Sequence, residues 1–344
     1  MKITLSILSV IFSAIVYSDA VLGQTLKQTA DTLPELSTEE RAALGELFGT
    51  YSSATATFTG LDSISSGRVS VDPGDVREKA KLSIVRLPYT HYFGEKGDTI
   101  RGVGKFVLGH FEGTADDHTF SDELKNIYRA QGLAPGDIKA DVSHDEATSL
   151  TLGAGIAFTP TKGLTIVPAF DMIWTHIRRM WDYNNDLSKL FIQQYDRELF
   201  NTSLEALSYT PSLKAGYEIP VTETATVTPS LKYAHLWSYD MWSKSTLADF
   251  SVSAGVFQST VESSIKTPLC FLSLPMGVHP FITRTDLSGA ALDGLGVKTF
   301  YDLGADLVFD TTEANSFFKE VSIGGSYLFG KNFEGFRVGL GLDF

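Results

Sequence analysis

The final residues, Gly335-Phe-Arg-Val-Gly-Leu-Gly-Leu-Asp-Phe344, restrict the fold more than any other stretch. Phe336, Val338, Leu340, Leu342 and Phe344 fall on one phase of a period-two pattern; Arg337, Gly339, Gly341 and Asp343 fall on the other. Such alternation gives an extended strand with one apolar face and one small or charged face. A strand of about ten residues has the length that crosses a bilayer, whereas strands of soluble sandwiches run to about five or six. The stretch predicts a membrane-spanning β-strand, one face in lipid and the other against something polar.

The pattern recurs upstream. Leu150 to Phe158, Leu164 to Trp174, Leu207 to Ile219, Val227 to Tyr233, Phe250 to Val256, Leu272 to Ile282, Tyr301 to Phe309 and Val321 to Phe329 alternate in the same way. Tyr51 to Thr59, Lys79 to Tyr92 and Arg101 to Phe111 do so more weakly. Together they predict an all-β fold, an antiparallel transmembrane barrel of about twelve strands. Tight turns at Glu95–Asp98, Pro160–Gly163 and Pro220–Glu223 alternate with long polar loops at Glu112–Ala147, Arg178–Asn201 and Ser238–Thr246. Short turns on one rim and long loops on the other belong to that architecture. Pro168, Pro211, Pro229 and Pro280 each forfeit a ladder hydrogen bond, so a bulge is expected at each. A slip of phase near Arg86 predicts one more, between Ile84 and Pro88.

The net charge of −13 argues against nucleic-acid binding, which needs a basic face. A mean hydropathy of +0.02 suits a wall whose two faces average out. Cys270 is the sole cysteine, so no internal disulfide and no thiolate metal framework is available, and it reads as a small buried hydrophobe.

Lys2, an apolar run from Ile3 to Val16 and small residues at Ala20 and Gly23 read as an export signal. No apolar run reaches the roughly twenty residues of a spanning helix. Ser37-Thr-Glu-Glu40 has the form of a capping box, and Leu44, Leu47, Phe48 and Tyr51 follow at helical spacing. A helix of about 18 Å is expected over Thr38–Gly49. The expected division is a signal peptide over 1–23, a periplasmic or lumenal segment with the helix over 24–49, and the barrel over 50–344.

In the predicted phase Arg101, Lys105, Asp171, Lys214, Lys232, Asp302, Asp306 and Arg337 face the lumen. They either set an ion preference across it or pair with one another and hydrate the wall. On the lipid face each Arg or Lys at mid-depth would cost about 2–4 kcal/mol, which supports the phase. Asp116 to Glu123 gathers carboxylates around His118 but matches no calcium-loop spacing, and a solvated acidic loop is the plainer reading. There is no Gly-x-Ser-x-Gly and no His-Glu-x-x-His, so no enzyme, cofactor or metal is expected. His110 and His235 are the histidines a lipid-facing hydrolase could use, but His235 is more simply interfacial. Trp174, Trp181, Tyr183, Trp237, Tyr239 and Trp242 cluster near the loop-side strand ends, as an aromatic girdle would.

The Phe-terminated strand resembles the C-terminal signal that outer-membrane barrels of Gram-negative bacteria present to the barrel assembly machinery. Over Thr38 to Phe344 the chain resembles the translocator barrel of autotransporters, above all the solitary barrels without a passenger. The resemblance implies an integral protein of the cell outer membrane. Its partners would be outer-membrane lipid, lipopolysaccharide and the assembly machinery, with no soluble partner identifiable. Too little chain separates the signal from the first strand for a passenger, so passenger secretion is not implied. A passive, porin-like channel for small solutes is the alternative. Side chains fill barrels of about eight strands, so about twelve should leave a wet lumen; the capped helix is the candidate to occupy it, the alternatives being that it packs beneath the barrel or frays in the periplasm.

Overall fold

A computed structural model describes residues 38–60, 67–71, 80–95, 97–117, 141–184, 197–198, 201–245, 248–312, 320–331 and 333–343. Helix α1 (Thr38–Gly60) precedes β1 (Gly67–Val71), β2 (Ala80–Phe93), β3 (Ile100–Asp117), β4 (Asp141–Thr161), β5 (Leu164–Asp182), β6 (Thr202–Tyr217), β7 (Ile219–Pro220) and β8 (Ala225–Asp240). Then come β9 (Ser251–Phe271), β10 (Leu274–Gly289), α2 (Ala290–Leu295), β11 (Thr299–Asp310), β12 (Glu320–Gly330) and β13 (Phe333–Asp343). Every neighbouring pair is antiparallel, β1 joins β13, and β6 and β7 both pair with β8, so the sheet closes. β7 continues β6 past Glu218 in unbroken register, since Gly216↔Ser230 leads to Ile219↔Val227. The thirteen strands thus make twelve staves, with β6 and β7 as one.

Alternation sorts the side chains as the sequence pattern requires. Leu87, Leu152, Leu213, Leu303, Tyr327 and Val338 lie on the outer face, Leu213 at 53% exposure. Thr151, Asp171, Thr175, Ser208 and Asp302 lie inside and are buried. Phe336 and Val338 are on the outer face of β13, while the side chains of Leu340, Leu342 and Phe344 lie outside the described residues, as do Ser37 and residues 1–23.

The local expectations need several corrections. β2 pairs with β3 in continuous register from Lys81↔Thr114 to Phe93↔Gly102, so there is no bulge at Arg86. The phase looked broken because the inner face turns apolar at Leu82 and Ile84, which are buried against the interior. Register also runs unchanged through Pro168, Pro229 and Pro280. Pro211 interrupts its ladder with β8 but resumes in the same register at Ser212. The register shifts fall at Phe158/Thr161 and Pro275/Gly277, next to tight turns where an extra residue bends the strand without opening the ring. Several strands outrun their expected ends, consuming Glu112–Asp117, Asp141–Ala147 and Arg178–Asp182 from the supposed loops. Leu272 and Ser273 are the β9–β10 turn.

The largest difference is at the N-terminal end. Tyr51–Thr59 is helix, not strand, and α1 runs for 23 residues, about 34 Å. Ser and Thr are indifferent helix formers in water. Here the Thr50, Thr55 and Thr57 hydroxyls donate to the carbonyls of Glu46, Tyr51 and Ser53, satisfying themselves within the helix. The small side chains also let it approach a wall on every side.

Candidate functional site

The candidate site is the lumen, and α1 stands in its loop-side half. Its contacts descend in order. Gly49 lies against Phe250 and Val252 at the loop end of β9, so closely that a Cβ would sit 2.6 Å from Val252 Cγ1. Ser52 Oγ is 3.5 Å from Ser238 Oγ, near the loop end of β8. Ala56 packs with Ile173, in the middle of β5, and with Leu236, Ala254 and Ala291. The helix therefore enters from the loop rim and ends near mid-barrel.

Two features hold it. Leu44 and Phe48 belong to a buried cluster with Ile84, Phe111, Ile177, Leu204, Phe250, Phe300 and Leu328, wall residues drawn from around the ring. That ring of inward hydrophobes exists because a helix covers it. At the loop end, Arg179 Nε donates to Asp145 Oδ1 at 3.0 Å while its guanidinium lies 4.8 Å from the Tyr51 ring centroid. Helix α2 folds inward from the β10–β11 connection and fills the remaining space, with Ala290 and Ala291 buried. A Cβ on Gly294 would lie 2.7 Å from the Thr50 carbonyl oxygen.

The side of α1 carrying Ser52 and Ser53 meets a different surface. Ser149, Thr151, Thr175, Ser208, Thr210 and Ser238 line the wall there, all fully buried. Ser208 Oγ donates to Ser238 Oγ at 3.0 Å, whereas the hydroxyls of Ser53, Ser149, Thr151, Thr175 and Thr210 have no hydrogen-bond partner among the described residues. This seam is lined by small hydroxyl side chains, in contrast to the apolar cluster.

Below the helix the turn-side lumen is a charged vestibule. Lys105 Nζ and Asp171 Oδ2 are 2.9 Å apart, both nearly buried, and Gly153 on the neighbouring strand leaves room for the Asp171 carboxylate. Arg337 reaches Asp302 at 3.2 Å, donates to Ser326 Oγ at 2.6 Å and lies over the Phe281 ring. Arg101 lies over the Tyr92 ring at the turn rim, 4.9 Å from its centroid. Asp306 sits over Gly324. Lys214 and Lys232 are direct register partners across β6 and β8, and Lys214 is exposed although it faces inward. Lys105 thus pairs with Asp171 and Arg337 with Asp302, and Lys214 and Lys232 are neighbours in register across β6 and β8.

A family model for the solitary outer membrane autotransporter beta-barrel domain matches residues 53–341. The chain belongs to this family. Among solved structures, the transport unit of the autotransporter AIDA-I from Escherichia coli superposes with a TM-score of 0.54 at 10% identity, covering 87% of this chain and 98% of that one. The β domain of the Bordetella autotransporter BrkA matches with a TM-score of 0.49 at 9% identity, over 81% of this chain and 96% of that one. The NalP translocator domain from Neisseria meningitidis gives 0.45 at 14% identity, over 83% and 91%. No curated protein matches.

The autotransporter-type barrel is a protein of the Gram-negative outer membrane, so its loop rim faces outward from the cell and its turn rim faces the periplasm. On its lipid side Trp174, Trp237 and Tyr239 lie near the outer rim, with Trp242 exposed in the loop beyond, while alternation puts Trp181 on the inner phase of β5. Tyr183 Oη accepts from Asn201 above the rim. His235 stands edge-on to Trp237 with 4.5 Å between ring centroids. The His110 ring nitrogens are each 3.3 Å from a neighbour, Thr148 Oγ1 and Glu112 Oε1. Cys270 is exposed near the turn end of β9, not buried as expected. Residues 118–123 of the acidic stretch lie outside the described residues.

Sequence reasoning missed α2, the Arg179–Asp145–Tyr51 contact, and the inward Glu262, Ser264 and His279, where Ser264 Oγ is 2.9 Å from His279 Nε2. Asp145 and Arg179 fall in the expected loops because the alternation fades where the inner faces of β4 and β5 become apolar. Only the run Ala290-Ala-Leu-Asp-Gly-Leu295 carried a helical signal, and it is too short to stand out.

Proposed function

We propose that this barrel is a translocator-type pore kept closed by a resident plug. Helix α1 is the stopper, α2 is the wedge that retains it, and the charged vestibule is the periplasmic mouth. What carries the reading is the apolar collar around Leu44 and Phe48, since an open channel would gain nothing from burying such a ring. Porin-like passage of small solutes then belongs to the unplugged state only. In this reading residues 1–23 are an export signal and are removed. The β13 phase of Phe336, Val338, Leu340, Leu342 and Phe344 addresses the barrel assembly machinery, and the outer rim meets lipopolysaccharide. No reaction is assigned to the protein.

The test is conductance in planar bilayers. Refolded full-length protein should be electrically silent, and a variant lacking residues 38–60 should conduct. Equal conductance of the two would refute the plug.

A further inference from the structure

The hairpin that joins β9 to β10 differs from the other described turns of the periplasmic rim. Its two corner residues, Leu272 and Ser273, both have positive φ, 49° and 67°. That geometry suits Asn-Gly, and a bulky side chain there is an outlier. Leu272 is also 81% exposed, and Leu269 and Phe271 beside it are exposed as well. From Thr267 to Met276 the chain carries no charge, whereas the turns at Glu95–Asp98, Lys162–Gly163 and Val221–Thr224 each carry at least one. The ladder of β8 with β9 ends at Ala225↔Ile265, and that of β11 with β10 at Phe309↔Met276. Past those points the registered pairs are the hairpin's own, Leu274↔Phe271 and Pro275↔Cys270. A strained corner that holds a large apolar side chain out in water is unfavourable twice over, so the tip calls for a cover.

The barrel's lipid face leads straight into that tip. On β9 the exposed, outward Phe257, Val261 and Ile265 are followed in the same phase by Leu269 and Phe271. The Phe271 ring centroid lies 5.8 Å from that of Phe309, which shares the outward phase of β11 with Leu303 and Leu307. On β10 the outward positions are apolar from Leu274 to Ile282, and then come Arg284 and Asp286, paired at 3.0 Å. Leu274 to Arg284 spans about 33 Å of strand, or about 25 Å of height at a tilt of about 40°, which is the height of the apolar band in such barrels. With the charged pair at the outer boundary of the hydrocarbon, the hairpin tip falls at its periplasmic boundary. We infer that the tip, residues 271–274, is an anchor seated in the phospholipid of the periplasmic leaflet, which fixes the depth of the barrel on its β9–β10 side. Lipid is the occupant because the apolar surface runs unbroken from the hydrocarbon-facing wall into the tip. The anchor rests on the outward phase of the strands and not on α1, so a failed conductance test leaves it standing.

The experiment places a nitroxide, itself apolar, at Leu269→Cys in full-length protein whose sole native thiol is removed by Cys270→Ser. The protein is refolded into vesicles of phosphatidylethanolamine and phosphatidylglycerol, and electron paramagnetic resonance reads collisions with oxygen and with a water-soluble nickel chelate. Oxygen should dominate at Leu269→Cys, as at a Leu213→Cys reference on the lipid face, whereas nickel access should be severalfold higher at Lys162→Cys in a neighbouring turn. Adding Leu272→Asn and Ser273→Gly supplies the residues this corner favours and removes the anchor. That variant should refold in micelles as well as its parent, which separates anchoring from folding, yet in vesicles its label at residue 269 should become severalfold more open to nickel. Nickel access at Leu269→Cys equal to that at Lys162→Cys, or a label unmoved by the two tip substitutions, would overturn the anchor. If Leu213→Cys proved equally wet, the assigned phase of the barrel would fall with it. A label shielded from both reagents would put a second copy of the chain on the tip and would overturn the lipid assignment.

Discussion

Phe48→Ala is the sharpest perturbation of the plug. Phe48 is 1% exposed and sits where the helix meets the wall's apolar collar. Truncating a buried Phe to Ala costs about 3–5 kcal/mol, partly through lost transfer energy and partly through the cavity left behind. The strand ladders do not involve Phe48, so the cost falls on the docking of α1 and not on the barrel. Each 1.4 kcal/mol is about a factor of ten, so the unplugged population should rise by about a hundredfold to several thousandfold. Single-channel recording reads this as open probability, and heat-modifiable gel mobility confirms that the barrel is folded. Glu46→Ala, on an exposed position of the same helix, should stay within about 0.5 kcal/mol, or roughly twofold. If a folded Phe48→Ala barrel stays as silent as wild type, the collar does not hold the helix and the reasoning fails.

Gly49→Val should also open the pore, because the new side chain meets Val252 and Phe250, and protease sensitivity of α1 should rise with conductance. Asp171→Ala strips Lys105 of its carboxylate in a nearly buried position and should lower stability by up to about 3 kcal/mol, less than a dry ion pair would lose because the vestibule is wet. A urea midpoint unchanged in lipid vesicles would show that pair to be idle. Leu213→Arg places a cation on the lipid face and should cost about 2–4 kcal/mol, seen as a lower folded fraction in vesicles. Full folding yield there would contradict the assigned phase.

The outer surface of this protein was legible from sequence because its solvent is uniform. Leu87, Leu152, Leu213, Leu303 and Val338 face the same hydrocarbon, so apolar residues recur on one phase of the alternation and fix strand type, phase and barrel class. The inner surface has no single solvent. Below mid-barrel it meets water, and Lys105, Asp171, Lys214 and Asp302 show the expected polarity. Above it, the same phase meets α1, and Ile84, Phe111, Ile177 and Leu204 turn apolar in answer. There the alternation fades, and strand ends look like loops or bulges. Helix α1 was half visible for the same reason: Leu44 and Phe48 carry a helical stripe, whereas Tyr51 to Thr59 is helical only because a surrounding wall accepts its small side chains. Sequence alone thus determined a two-faced wall that must close in a membrane. The tertiary structure decided what fills it, because which residues face one another across a lumen depends on ring closure and register, and neither is written in local periodicity.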